Sequence, residues 1–209
     1  GKAGNPNSII ADIQQSVVSA GGTVDTNAVA KATIWALTLG AAGSVGASSS
    51  GTSFSAALGG SVAVNQVRSE VRSRIRNGSN VTAGGAVGVK ARDDNTITTN
   101  GGGFALNVAA GGGTSAGAAI GVSAARNDLT GIVEALVDNS RLQAGGNALT
   151  ISASESSKIE ALTIGGAVSV GAGGGNGVGV GLAGAGSGNY INNHIQAGLR
   201  AGAVVTAGA

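Results

Sequence analysis

Asparagine returns at positions 65, 127 and 189, an interval of 62 residues each time, and the blocks it opens align without a gap. NQVRSEVRSRI (65–75), NDLTGIVEALV (127–137) and NYINNHIQAGL (189–199) keep their apolar residues in the same columns. Ile9, Val71, Val133 and Ile195 form one column; Ile13, Ile75, Val137 and Leu199 form another. TIWALTLGAAGSV (33–45), TITTNGGGFALNV (96–108) and KIEALTIGGAVSV (158–170) repeat in the same way. So do VTAGGAVGV (81–89), LQAGGNALTI (142–151) and VTAGA (205–209). A period of this length marks one supersecondary unit stacked on itself, not a series of different domains. The chain divides into units 1–32, 33–95, 96–157 and 158–209, the first and last partial.

The unit reads as strands. In LTIGGAVSVGA (162–172), Leu162, Ile164, Gly166, Val168, Val170 and Ala172 share one face, and Thr163, Gly165, Ala167, Ser169 and Gly171 share the other. That is the period of two of a β-strand. A face of only small residues lets a second sheet approach closely, as in stacked sheets. Gly supplies 40 of the 209 residues and aromatics only 2%, so stability must come from many regular contacts, not from a few large side chains. Pro6 is the single proline, which leaves long ladders uninterrupted. Val67, Val71 and Ile75 are also four apart, and Arg76-Asn77-Gly78 could close a helix. Gly198 inside the third copy of the block favours strand. The expected fold is all-β, a parallel β-solenoid-like repeat with long Gly/Ala-rich strands and about 62 residues per unit.

Charge gathers at one place, VRSEVRSRIR (67–76). If one unit is one turn, residues 62 apart lie on neighbouring strands about 4.8 Å away. Arg72 then faces Glu134, Arg76 faces Asp138, Asp138 faces Arg200, and Asp12 lies against Arg74. An acid opposite each of three arginines describes a device that holds register. A strip for nucleic acid would instead carry more base and interleaved aromatics, and a net charge of +2 is too small to imply a polyanionic partner. Asn65, Asn127 and Asn189 fit two readings: an inward ladder of amides bonded along the stack, or turn residues chosen for left-handed dihedrals.

Other motifs carry little. GVGLAG (179–184) has the glycine spacing of a dinucleotide loop, yet no acid follows Glu160. His194 is the only histidine, which leaves no cluster for a metal centre or a Ser-His-Asp triad. Asp93-Asp94-Asn95 matches no calcium loop and is expected to be a polar turn between units. The acids are too scattered for a carboxylate-driven hydrolase. No enzyme, cofactor or metal is therefore expected. The charge-free stretch 161–193 is long enough to cross a bilayer, but its Gly content and period of two argue against a helix. A membrane barrel should carry two aromatic girdles, which four aromatics cannot make. No membrane-spanning segment is expected. Absence of Cys rules out a disulfide framework, and GKAGNPNSII does not read as a signal peptide.

At VDNSRLQAGGNALTISA (137–153) and LGGSVAVNQV (58–67) the chain resembles the repetitive passenger regions of giant bacterial exoproteins. These include filamentous-haemagglutinin-like adhesins, autotransporter passengers and leukotoxin-type surface proteins. The resemblance implies a parallel β-solenoid shaft outside the cell or on the bacterial surface, with no catalytic residues of its own. Neither GKAGNPNS nor VVTAGA looks like a polar cap. The expected partners are thus copies of itself or adjacent repeats of a longer chain, and a host or neighbouring cell surface. The alternative expectation is a module that binds a surface or glycan through a flat β face.

Overall fold

The computed structural model describes residues 5–145 and 148–207. Parts of the repeat blocks at 146–147 and 208–209, and the residues before position 5, lie outside the described residues. Strand follows strand in a fixed order: β1 (Asn7–Gln14), β2 (Val17–Ala20), β3 (Val24–Ser48), β4 (Ser53–Arg76), β5 (Asn80–Ala83) and β6 (Val87–Gly111). Then come β7 (Ser115–Val137), β8 (Arg141–Ala144), β9 (Leu149–Gly173), β10 (Gly177–Leu199) and β11 (Val204–Ala207).

Each repeat is one turn of a flattened coil. Two long sides belong to the sheets β1-β4-β7-β10 and β3-β6-β9, and a short side to β11-β8-β5-β2. All pairings are parallel, and Asn65, Asn127 and Asn189 lie side by side. Thr33, Thr96 and Lys158 are likewise neighbours. Stacked strands about 4.8 Å apart put β1 and β10 only about 14 Å from one another. The long strands make the molecule far wider than it is high.

The helix alternative for 67–76 is excluded. β4 stays extended to Arg76, and Asn77-Gly78 turns the corner with φ of 59° and 79°. Asn139 (φ 41°) and Gln15 (φ 48°) occupy the same corner of other turns. Asn tolerates this left-handed region better than most residues, which accounts for its use at two of the three.

Two kinds of interior follow from the sequence. Near the short side, Val71, Ile75, Val89, Val133, Val137 and Leu142 form a buried apolar core. Towards the far tip, inward positions shrink to Gly, Ala, Ser and Asn, and Ala57, Ala105 and Ala119 are the buried apolar cluster there. The two long sheets close together accordingly. A Cβ added to Gly40 would collide with the backbone carbonyl of Gly60, and one on Gly103 with that of Val122. Glycine is needed at these positions because backbone approaches backbone.

Asp93-Asp94-Asn95 is not a turn. It lies within β6, with Asp93 and Asn95 buried and Asp94 outward. Short polar residues resemble a loop in sequence, but here they alternate across a strand with a polar interior on one side.

Candidate functional site

Three features are candidates: the ion pairs on the outer face, the polar groups locked inside, and the outer faces themselves.

On the outer face near the short side, Arg72 Nε lies 3.0 Å from Glu134 Oε2 and Arg72 Nη1 lies 2.6 Å from Glu70 Oε1. Arg74 and Asp12 make a two-pronged pair, Nε to Oδ1 at 3.0 Å and Nη2 to Oδ2 at 3.1 Å. Arg76 does not take Asp138. Its guanidinium reaches Asp12 Oδ2 at 2.8 Å, so one acid holds two arginines. Arg76 is the register partner of Gln14, which places Asp12 diagonally across, within reach of a long side chain. Arg200 turns to Gln196 Oε1 instead. Among the described residues Asp138 forms no ion pair with either arginine. The chain leaves the strand at Asn77, so the column that Arg76 and Asp138 share in sequence ends at a corner.

These pairs are partly solvated and each contributes about 0.2–1 kcal/mol, but together they penalise a slipped register. Arg72→Glu is expected to lose about 1 kcal/mol, because it places a third carboxylate between Glu70 and Glu134. Adding Glu134→Arg should restore part of it. Urea unfolding of both single variants and the double variant checks this, and simple additivity would sink the pairing.

Inside, the asparagines form the ladder and not a turn. Asn65 Nδ2 donates to Asn127 Oδ1 at 2.8 Å, and Asn127 Nδ2 donates to Asn189 Oδ1 at 2.8 Å. Thr99 Oγ1, from the opposite sheet, donates to the same Asn127 oxygen at 2.8 Å. Asn127 is wholly buried. Nearer the tip, Asn107 exchanges hydrogen bonds with Ser55, and Ser169 donates to Asn107 Oδ1.

A second polar cluster escaped the sequence reading. Asp93 and Glu155 are register neighbours on the inner face of β6 and β9. Ser69 Oγ and Asn95 Nδ2 donate to Asp93 Oδ2, Ser157 Oγ donates to Glu155 Oε1, and Asn193 Nδ2 donates to Ser157 Oγ. Asp93 Oδ1, Asn95 Oδ1, Glu155 Oε2 and Asn193 Oδ1 are buried without a donor. Gly131 opposite leaves room for these groups, since a Cβ there would stand 3.0 Å from Glu155 Oε1. Burial, reinforced by the charge of Asp93, raises the Glu155 pKa against the opposing hydrogen bonds from Ser157 and Asn193. Among the described residues no group of three or more His, Cys, Asp or Glu gathers as a metal site.

A raised carboxyl pKa means that the folded state prefers the protonated form. Its contribution to stability is present at low pH and is lost as pH rises through the folded-state value. Glu155→Gln is therefore expected to stabilise the chain at pH 8 and to have little effect at pH 4. Urea midpoints at the two pH values read this, and an equal effect at both would contradict it.

The outer faces divide sharply. On β4 the outward residues Arg76, Arg74, Arg72, Glu70 and Arg68 give way after Gln66 to Val64, Val62, Leu58 and Phe54. On β3, Asp25, Asn27, Lys31 and Thr33, with Val29 among them, give way to Trp35, Leu37, Leu39 and Val45. Leu39 and Leu58 are each 70% exposed. A shallow hollow at this border is lined by Gln66, Arg68, Arg126, Asp128 and Tyr190, with Arg126 already held by Asp128 at 3.1 Å. His194 points outward on β10.

Parallel strands in register, one turn per repeat, define a β-solenoid-like fold, here strongly flattened. No protein-family model, curated protein or solved structure matches the chain. No helix among the described residues is long and apolar enough to cross a membrane, a finding that does not bear on strands.

Proposed function

We propose that the chain is a structural, adhesive segment of a secreted bacterial surface protein, a rigid shaft that grows by stacking on copies of itself or on neighbouring repeats. One observation carries this reading. Among the described residues the outermost strands of the stack, β3 at one face and β9 and β10 at the other, are long and hydrogen-bonded on one side only. Unpaired edges of this length are templates for another strand. The ion pairs and the Asn ladder supply the register that an added turn would have to meet. The resemblance of 58–67 and 137–153 to passenger regions supports a place outside the cell.

Electron microscopy of the purified chain over a concentration series, paired with light-scattering mass, tests the proposal. Filaments with a repeat near 4.8 Å are expected. A single small species at every concentration would overturn it.

A further inference from the structure

The far half of the slab is built the other way round from the near half. Near the short side, Val, Ile and Leu are inside and the charges outside. Towards the tip, Gly, Ala, Ser and Asn are inside, and large apolar side chains face out from both long sheets. No Asp, Glu, Lys or Arg occurs in 36–65 or 161–189, and Arg126 is the only one in 99–127, the three equivalent passages that make this half.

The change falls within one outward position of the same level on both faces: Arg126, paired with Asp128, is the one charge among the described residues on the apolar side of it. Asn65 bonds Thr99 across the interior, so the adjacent outward positions Gln66 and Thr98 lie back to back. The column of Gln66 continues through Asp128 to Tyr190, and that of Thr98 joins Trp35 to Glu160. Both aromatics are exposed, at 55% and 65%. They sit where the charged half ends and the apolar half begins. From Trp35 to Ala47, near the tip, the strand runs about 40 Å at about 3.3 Å per residue. A bilayer has a hydrocarbon layer of about 30 Å, or 40–45 Å with its interfaces.

We propose that this half is a tongue that inserts into a lipid bilayer, with Trp35 and Tyr190 at one interface and the small polar tip loops at the other. Trp and Tyr are enriched at that level of membrane proteins, and apolar-out, polar-in alternation is how strands meet lipid. A second copy laid on one face would cover that face alone, and nothing about it would fix the same boundary on the opposite face. A bilayer imposes one level on both. Sequence alone set membranes aside because four aromatics cannot form two belts; the fold places two of them in a single belt. Backbone in hydrocarbon must be fully hydrogen-bonded, and only the middle strands are paired on both sides along the tongue. Insertion therefore rests on the stacking proposed above to cover the outer edges.

The test mixes the purified chain with phosphatidylcholine vesicles, some carrying brominated acyl chains. Trp35 is the only tryptophan. Its emission is expected to shift to shorter wavelength, bromines near the headgroup should quench it most, and the chain should float with the vesicles. In W35F/L39W the quenching maximum should move towards bromines deeper in the chains. Leu39→Asp, at an open outward site, should abolish flotation. Electron microscopy of the same samples reads stacking separately. Filaments without flotation would overturn the bilayer proposal and leave the shaft standing; flotation of chains that stay single would overturn the shaft, and with it the insertion that needs stacking to cover the outer edges. A shift of Trp35 that follows protein concentration and ignores lipid would also overturn it, and would assign the apolar faces to contact between copies.

Discussion

Gly103→Val is expected to lose about 3 kcal/mol or more. A Cβ at this position would enter the carbonyl of Val122 on the facing sheet, and no rotamer can relieve a clash with backbone. Gly40 and Gly165 are its register neighbours, so the contact is repeated along the stack and the sheets cannot part at one turn alone. Gly43 supplies the control, because it faces outward on β3 and a Cβ there meets nothing within 4 Å. Gly43→Val should stay within about 0.5 kcal/mol of the parent. Urea unfolding of the two variants side by side decides the matter. Equal losses would mean that glycine content, and not close approach of the sheets, governs stability.

Asn127→Leu is the second large effect, with an expected loss of about 2–3 kcal/mol. The substitution keeps the branched skeleton of the side chain and removes three hydrogen bonds: one from Asn65, one from Thr99 and one to Asn189. Asn65 and Thr99 would keep one bond with each other, which limits the damage on that side. Asn189→Leu removes a single bond at a more exposed position and should cost well under half as much. If the two variants unfolded at the same midpoint, the amides would be acting singly and the ladder would have no collective role.

The register was the most legible part of the fold, because a period of 62 in Asn, Ile and Val columns can be read along the chain and becomes adjacency as soon as one repeat makes one turn. The alternation at 162–172 also showed which face was small enough to be covered. Three things escaped. Asp93-Asp94-Asn95 has turn-like composition, and only the facing sheet shows that Ser69 and Gly131 make room for it inside. Arg76 and Asp138 share a column, but a corner with a left-handed Asn77 ends that column, and Asp12 is the acid within reach. The common boundary of the two outer faces depends on how strands of opposite sheets lie back to back, a relation that crosses about half a turn and leaves no periodic trace in sequence.

The in-register stack also has a hereditary consequence. Val64 and Arg126 mark the same place in successive turns, as do Asn65 and Asn127. Removing 65–126 would join Val64 to Asn127 and bring every remaining residue to the column it already occupied, one storey down. Unequal crossing-over between two such repeats thus yields a shorter or taller building with all its corners and ladders intact. Length in a protein of this design can drift by whole turns while the cross-section stays under selection.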